Sequence, residues 1–501
     1  MTTSAPPAST TQAPRYRTYG NWTRPQSPGI WGLGTLGTMI VIITPAAMVL
    51  GFLIHLYVGI TLGALGALAL APLALKFDGR TLGELALVRL SWWRTKSRRE
   101  HLYLSGALAE PYGSHRLPGI LSQSQLVATT DGLGRELGIV IIPGTGHYTA
   151  VLRCEPEGDA LVDREQVDQW VAGYGHWLSS LAHEPGLVGA SVTFETAPDP
   201  GTRLATAVAT QRSQAAPELA ATVLDTIVDS YPSGSAQVTA WVTLTYRSTG
   251  SRQRRGHEAM INHVAARLPG LADGLGGTGA GAVRPMGPRE ITEIVHIAYD
   301  PAVATTVEQC RADGSDTGIT WDNAGPKADV AAWDSYRHDS GVSRVWSMDV
   351  APRGTVLANV LSSLLAPHPQ LRRKRVTLTY RPHSPSEAAA IVDRDVRTSH
   401  FNQQARGTAR DQVTIRAAEQ TAAEEAEGAG LTRFSLFVAA TVDSAAELDE
   451  ADTILDGLSG TARLQLRPVF NGQRAAFAAT LPAGVLLPEH VAVPTTVREA
   501  L

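Results

Sequence analysis

The sequence predicts an N-terminal two-helix transmembrane hairpin followed by a cytosolic α+β body with mixed α/β layers, built as two related sub-domains. The 501-residue chain has no Asp, Glu, Lys or Arg between Arg24 and Lys76. Beyond this stretch, short alternating segments typical of strands are separated by segments with helical periodicity. The hexapeptide VTLTYR occurs twice, at Val242–Arg247 and Val376–Arg381. Two explanations of this repeat stay open: an old duplication, or chance convergence on an alternating β pattern.

The charge-free stretch is long enough for two membrane crossings, because one crossing needs about 20 apolar residues. We expect one helix near Trp31–Leu53 and a second near Tyr57–Leu75, with His55 at the reversal. A cleaved signal peptide is the alternative, but its apolar core would be shorter, about 7 to 15 residues. Small residues spaced by four predict the packing face of the second helix, namely Gly59, Gly63, Ala67 and Ala71.

Basic residues flank the charge-free stretch on both sides, and its central turn has none. The positive-inside rule therefore predicts a multi-pass inner-membrane protein with both termini cytoplasmic. The segment 81–100 has helical apolar spacing and is expected to lie against lipid head groups. Its predicted membrane-interface residues are Trp92, Trp93, Arg94, Lys96, Arg98 and Arg99. The alternative for this segment is an ordinary amphipathic helix that docks on the body.

Composition shifts divide the chain into six regions. These are a flexible cytosolic tail (1–28), the transmembrane hairpin (29–76), a juxtamembrane amphipathic region and linker (77–136), a first α+β domain (137–285), a second α+β domain (286–485) with a long helix at 384–428, and a C-terminal tail (486–501). Within the domains we expect a strand over HYTAVLRCE, a glycine-rich loop at Gly270–Gly281, and a strand at Arg474–Thr480.

Composition and motifs exclude several classes of chemistry. The formal net charge of −4 offers no overall basic field for nucleic acid, so direct nucleic-acid binding is not expected. Only Cys154 and Cys310 are present, which excludes a multi-cysteine zinc site. None of the four lysines follows a glycine, so the chain lacks a Walker A loop. We assign no catalytic, cofactor or metal residue and predict that the protein is not an enzyme.

Several motifs resemble a known family. They are Tyr19-Gly-Asn-Trp22, the GIWGLGTLGT run, TAVLRCE at Thr149–Glu155, Trp333-Asp-Ser-Tyr336-Arg337, Arg344-Val-Trp346 before Ala351-Pro352-Arg353, and FAATLP at Phe477–Pro482. In this order they resemble the actinobacterial integral membrane proteins of integrative and conjugative elements. Those proteins look like a two-helix membrane subunit of type IV secretion joined to the N-terminal, non-ATPase region of the VirB-type conjugation ATPase. Their layout is also similar to the E component of type VII secretion. Ala351 departs from the family pattern, where a tryptophan usually stands.

The resemblance implies a non-enzymatic, inner-membrane structural component of a conjugative, type IV-like secretion apparatus. Its implied partners are the lipid bilayer, a separate cytosolic conjugation ATPase, channel subunits, and further copies of the chain. Two alternatives stay open: a type VII secretion membrane component, and a membrane-tethered enzyme of unrecognised type. The basic cluster at Arg372–Arg375 is the one local feature that suits DNA, although such clusters usually pair with acids or water.

Overall fold

The computed structural model describes most of the chain. The described residues are 17–20, 22, 34–77, 80–109, 112–158, 161–199, 201–213, 215–230, 236–248, 256–352, 355–406 and 409–491. The predicted C-terminal tail lies outside this part of the chain from residue 492 onward, as does most of the predicted N-terminal tail.

An apolar helical hairpin begins the described fold. It consists of α1 (Gly34–Ile54) and α2 (Leu56–Ala74). His55 separates the two helices because its backbone is extended, and its Nδ1 atom accepts the Tyr57 N–H at 3.4 Å. The helices approach closely, since a Cβ added at Gly51 would lie 2.9 Å from the Gly59 Cα. This contact holds the two helices together as an antiparallel pair.

Within the described residues, no helix combines the length and apolar character that a membrane crossing requires. The fully described parts of α1 and α2, residues 38–54 and 56–72, are each shorter than the about 20 residues of one crossing. The predictions of a transmembrane hairpin and of a multi-pass inner-membrane location are therefore wrong. The prediction used the length of the charge-free stretch, which also includes the turn at His55 and residues at both ends.

Fifteen strands are present in the described part of the chain. They are β1 (Lys76–Phe77), β2 (Arg80–Thr81), β3 (Leu102–Leu104), β4 (Gln125–Thr130), β5 (Glu136–Ile142), β6 (His147–Glu155), β7 (Leu187–Pro198), β8 (Ala236–Arg247), β9 (Ala282–Pro285), β10 (Ala328–Ala331), β11 (Tyr336–His338), β12 (Gly341–Val350), β13 (Arg373–Pro382), β14 (Thr432–Val442) and β15 (Gln465–Pro468). Strand β6 covers the predicted HYTAVLRCE segment from end to end.

Twelve helices accompany the strands after the hairpin in the described ranges. They are α3 (Leu82–Ser97), α4 (Arg164–Leu181), α5 (Thr202–Gln211), α6 (Glu218–Ser230), α7 (Gly256–Leu275), α8 (Pro288–Tyr299), α9 (Ala304–Ala312), α10 (Ser362–Leu365), α11 (Pro385–Arg406), α12 (Ala409–Ala426), α13 (Leu448–Thr461) and α14 (Gln473–Ala479). Helices α11 and α12 occupy the predicted long helix at 384–428, on either side of residues 407–408.

The body is built on one sheet of 13 strands. The strand order is β3-β10-β11-β12-β14-β13-β7-β8-β6-β5-β4, with β15 also paired to β12 and β9 also paired to β6. Neighbouring strands in this sheet are antiparallel. The expected mixed α/β body of two related sub-domains is corrected accordingly, because β7 pairs with β13 and joins both halves in one antiparallel sheet.

The two VTLTYR copies lie on either side of β7. One copy belongs to β8 and the other to β13, and both strands pair with β7. The Thr243 hydroxyl lies 2.6 Å from the Ser191 hydroxyl, and the Thr377 hydroxyl lies 2.9 Å from that of Thr193. Each copy therefore makes a similar buried hydroxyl contact with the central strand.

Helices cover both faces of the sheet. On one face, α8, α14 and the segment after α14 bury a core that includes Val295, Phe477 and Trp241. On the other face, α4 and α7 cover the β5–β8 half, and α10 and α13 cover the half around β12–β14. Burial of these apolar side chains is the main stabilising contribution to the body.

Two local predictions differ from the structure. The predicted strand at Arg474–Thr480 is helix α14, and its Phe477 is completely buried beneath the sheet. The predicted glycine-rich loop at Gly270–Gly281 is helical in its first part, because α7 continues to Leu275. Short apolar runs do not distinguish strand from helix, and here tertiary burial decides.

Candidate docking surface

Helix α3 begins with a sequence-encoded cap. The Thr81 hydroxyl accepts the Glu84 N–H at 3.2 Å, and the Glu84 carboxylate accepts the Thr81 N–H at 3.2 Å. This reciprocal pair satisfies two backbone donors that the first turn leaves open. The cap sets where α3 starts after the hairpin.

The inner side of α3 is fixed to the body through tryptophan. The Trp92 ring meets the Trp333 ring edge to face, with centroids 6.0 Å apart. The Arg89 guanidinium lies over the same Trp333 ring at 4.9 Å, a cation–π distance. Asn471 adds a polar contact, donating from Nδ2 to the Ser91 hydroxyl at 2.6 Å. These contacts orient α3 with respect to the sheet.

Helix α3 and Trp333 line an apolar cleft of ≈ 770 Å³, here called the tryptophan cleft. It is lined by Ala86, Arg89, Leu90, Trp92, Trp93, Lys96 and Trp333. Trp93 is 69% exposed, and Leu87 and Leu90 are also largely exposed. Large apolar groups bordered by cations on a surface are typical of a docking site.

The six predicted membrane-interface residues divide into two groups. Trp92 is half-buried and packs on Trp333, so it points to the body and not outward. The other five are exposed, namely Trp93, Arg94, Lys96, Arg98 and Arg99. Arg98 lies 3.7 Å from the Glu100 carboxylate, an exposed pair that contributes little. Helix α3 thus contacts the body through Trp92 and exposes its basic end.

The predicted packing residues of α2 also divide. Gly59 is buried against Phe52, and Gly63 faces Met48. Ala71 is half-buried, whereas Ala67 is exposed. A spacing of four drifts around a helix that has 3.6 residues per turn, so one row cannot stay at a straight interface. Gly66, which faces Thr44, continues the contact in place of Ala67.

Part of the predicted N-terminal tail is attached to the body. Tyr19 forms an isolated antiparallel bridge with Val356, with backbone hydrogen bonds of 2.8 and 2.7 Å. Its hydroxyl donates to the Asp168 carboxylate at 3.1 Å. Trp22 meets the Phe434 ring at 6.5 Å between centroids. The aromatic residues of the Tyr19-Gly-Asn-Trp22 motif therefore hold the chain on the body ahead of the hairpin.

A second cleft, of ≈ 670 Å³, lies beside the first turn of α8 and contains many arginines. Glu290 accepts hydrogen bonds from Arg284 at 2.7 and 3.0 Å and from Arg153 at 3.3 Å. Glu293 accepts from Arg289 at 2.9 Å and from Arg311 at 2.6 Å. The hydrogen bonds that Arg284 donates to the Glu290 carboxylate raise the pKa of Arg284. The arginines are thus engaged by carboxylates of the same chain.

Strongly shifted titratable groups lie inside the body and not in either cleft. Burial lowers the pKa of His338 to about 4 and that of Lys374 to about 8. Burial raises the pKa of Asp329 to about 6, against the opposing effect of Arg474. Each of these side chains has a partner inside the body. His338 bonds to the Tyr299 carbonyl and Lys374 donates to the Ala366 carbonyl. Asp329 accepts from the Tyr336 hydroxyl. Their shifts are accounted for by packing.

In the described part of the chain, no three His, Cys, Asp or Glu side chains are grouped so that they could hold a metal ion. The histidines with large shifts, His147 and His338, are both fully buried among strands. Both ring nitrogens of His338 have hydrogen-bond partners, the Tyr299 carbonyl and the Ser343 hydroxyl.

Sequence reasoning missed three residues that position α3, namely Arg89, Trp333 and Asn471. Trp333 belongs to the Trp333-Asp-Ser-Tyr336-Arg337 motif, but its contact with Trp92 joins distant parts of the chain. Local periodicity cannot predict a contact between residues so far apart in the chain. Asn471 has a φ of 61° and lies two residues before α14, and its Nδ2 donates to the Ser91 hydroxyl.

Comparison with known proteins gives one family match. Residues 26–84 match a family described as a domain of unknown function (DUF8461). The match covers the hairpin and the first residues of α3. No curated protein matches the chain.

Proposed function

We propose that this protein is a non-enzymatic structural subunit of a conjugative, type IV-like secretion apparatus. In this role it connects a separate cytosolic ATPase to subunits of the translocation channel. The observation that carries the proposal is the hairpin, which leaves its apolar outer side chains uncovered on an otherwise well-packed body. The order of motifs that resemble the conjugative-element proteins supports the same role.

The uncovered surface of the hairpin is large. Its exposed apolar side chains are Met39, Ile42, Ile43, Val49, Leu50, Leu53, Ile54, Leu56, Ile60, Leu65 and Leu68. Fully burying one such side chain contributes about 1.5–3 kcal/mol. Folding of the single chain does not bury these side chains. Binding of apolar partner subunits would bury them and gain this free energy. We propose that channel subunits cover this surface.

The positions of the titratable groups in the body also support a structural role. Enzymes place groups with perturbed pKa values in clefts that reach substrate. Here the strongly shifted groups His338, Lys374 and Asp329 are sealed in the core. The arginine-rich cleft is filled by ion pairs between its own side chains. A sheet whose neighbouring charged groups are already paired within the chain is suited to support other proteins.

The test is co-purification of the tagged full chain with the ATPase and channel subunits encoded by the same element. A Leu50→Ser/Leu53→Ser variant changes two exposed hairpin side chains, and Leu161→Ser changes a fully exposed residue in the body as the control. We expect the hairpin variant to lose the channel subunits, to keep the ATPase, and to reduce transfer at least tenfold. The control should behave as the wild type.

Recovery of neither ATPase nor channel subunit would refute the proposal, as would normal transfer by a strain that lacks the gene. Recovery of small helical secreted substrates together with a membrane-anchored protease would instead assign the protein to type VII secretion.

A further inference from the structure

Aromatic contacts hold the walls of the tryptophan cleft in place. The Trp333 ring stacks on the Phe470 ring, with centroids 5.3 Å apart and an interplanar angle of 19°. Trp92 and the Arg89 guanidinium contact the same Trp333 ring. The volume of ≈ 770 Å³ is in the range of about 300–1,000 Å³ that is usual for binding sites. Walls that are already ordered lose little conformational entropy when an occupant binds.

The α3 side of the cleft is an exposed apolar ridge, formed by Ala86, Leu90 and Trp93. Successive residues of an α-helix are rotated by about 100°, so these three side chains lie within about 60° of one another. Leu90 and Trp93 are 60% and 69% exposed. The single chain therefore leaves the apolar ridge uncovered.

Cations lie on both sides of the apolar ridge. By the same helical geometry, Arg89 and Lys96 project about 40–60° to one side of it, and Arg94 projects about 40° to the other side. Arg94 and Lys96 are exposed. The one acid of α3, Glu84, projects about 180° away from Trp93 and is engaged in the helix cap. The surface around the cleft is therefore apolar at its centre and basic at its rim.

This arrangement fits a protein segment that carries an apolar side chain with carboxylates beside it. Tryptophan and arginine are enriched at the energetic centres of protein interfaces. Single-stranded nucleic acid instead binds along an extended basic groove, where successive bases stack on aromatic rings. Here the cations surround one compact cleft that has aliphatic walls at Ala86 and Leu90. The lining therefore favours an acidic protein segment over nucleic acid.

The cleft and the hairpin differ in chemistry, so they suit different partners. Helices α1 and α2 contain no Asp, Glu, Lys or Arg, which suits the apolar channel subunits. The tryptophan cleft adds positive charge to an apolar centre. We propose that an acidic, apolar segment of the ATPase binds in the tryptophan cleft, with its carboxylates facing Arg94 and Lys96. This inference rests on the proposed function, because that function makes the ATPase a partner.

Site-specific photo-cross-linking of the complex of full chains tests the contact. The photoreactive residue p-benzoylphenylalanine replaces Trp93, which is largely exposed, so that Trp92 and Trp333 stay in contact. Irradiation should attach this position to the ATPase, at a segment that carries Asp or Glu beside apolar residues. The control places the same group at Leu133, an exposed residue between β4 and β5, at the opposite end of the strand order from β3. It should give at least tenfold less ATPase adduct.

Charge reversal adds a specific readout. Arg94→Glu/Lys96→Glu should lower ATPase recovery at least tenfold and leave recovery of the channel subunits unchanged, because the hairpin is intact. Arg397→Glu/Arg416→Glu reverses two exposed cations on α11 and α12 and should behave as the wild type. Replacing the acids of the cross-linked ATPase segment with Lys should restore binding to the charge-reversed chain. Damage to folding would not be repaired in this way.

Three results would overturn the inference while the ATPase still co-purifies with the wild-type chain. The first is an ATPase adduct at Trp93 no stronger than at Leu133. The second is an adduct at Trp93 with nucleic acid or with a second copy of the chain in place of the ATPase. The third is ATPase recovery that charge reversal leaves unchanged. A wild-type chain that recovers no ATPase would instead contradict the proposed function itself.

Discussion

Acidification should destabilise the body through His338. This imidazole is completely buried, with Nδ1 2.6 Å from the Tyr299 carbonyl and Nε2 2.8 Å from the Ser343 hydroxyl. The neutral ring can donate to the carbonyl and accept from the hydroxyl, which satisfies both nitrogens. Burial lowers the pKa of His338 from 6.5 to about 4 in the folded protein. The folded state therefore resists protonation.

The sign and size of the effect follow from this shift. Above pH 6.5 the imidazole is neutral in both states, so it causes no penalty. As the pH falls from 6.5 to about 4, the unfolded chain binds the proton first and the free energy of unfolding decreases. One pKa unit corresponds to about 1.4 kcal/mol, which gives a loss of about 3 kcal/mol from this residue.

Urea unfolding of the full chain at pH 7.5 and at pH about 4 measures this loss. We expect the wild type to lose about 3 kcal/mol more than His338→Gln over this interval. His147 and Asp329 also titrate abnormally, but both are present in the two proteins and cancel in the comparison. His183→Gln, at an exposed position, should keep the wild-type pH dependence. Equal losses in the wild type and His338→Gln would refute the reasoning.

Three further predictions concern packing. Lys374→Met should raise the free energy of unfolding at pH 7 by up to about 3 kcal/mol, since burial lowers the lysine pKa from 10.5 to about 8; denaturant titration showing a loss would contradict it. Gly484→Ala should cost about 1–3 kcal/mol, because φ is +64° and the new Cβ would lie 2.2 Å from the Thr149 hydroxyl oxygen. Gly457→Ala, which has open space, is the thermal-unfolding control. Trp333→Ala should speed tryptic cleavage within 94–99 several-fold by releasing α3, whereas Trp93→Ala should not; equal rates would count against the docking role of Trp333.

Local patterns predicted many of the elements correctly. Strand β6 has the predicted bounds, and helix α3 (Leu82–Ser97) lies within the segment 81–100, whose apolar residues have helical spacing. Both segments have a clear period, of two or of 3.6 residues, and a local period depends only on neighbours in the chain. Segment α14 lacked such a clear period, and its place beneath the sheet made it helical.

The candidate site could be predicted only in part. Sequence predicted Trp93, Arg94 and Lys96 as membrane-interface residues, and the structure has their side chains exposed on α3. Sequence could not show that Trp92 turns inward, because its partner Trp333 is distant in the chain. The membrane interpretation failed for a related reason. Composition measures how apolar a stretch is, whereas the continuous length of a helix depends on where its backbone breaks.

By itself, the sequence determined the apolar character of the hairpin, the alternation of the strands and the helical spacing of apolar residues in α3. These properties depend on residue types and local spacing, which folding does not change. Only the tertiary structure decided that β7 joins both halves in one antiparallel sheet and that α3 docks on Trp333. Strand order and aromatic contacts depend on which distant segments bury each other best, and this free energy belongs to the whole chain.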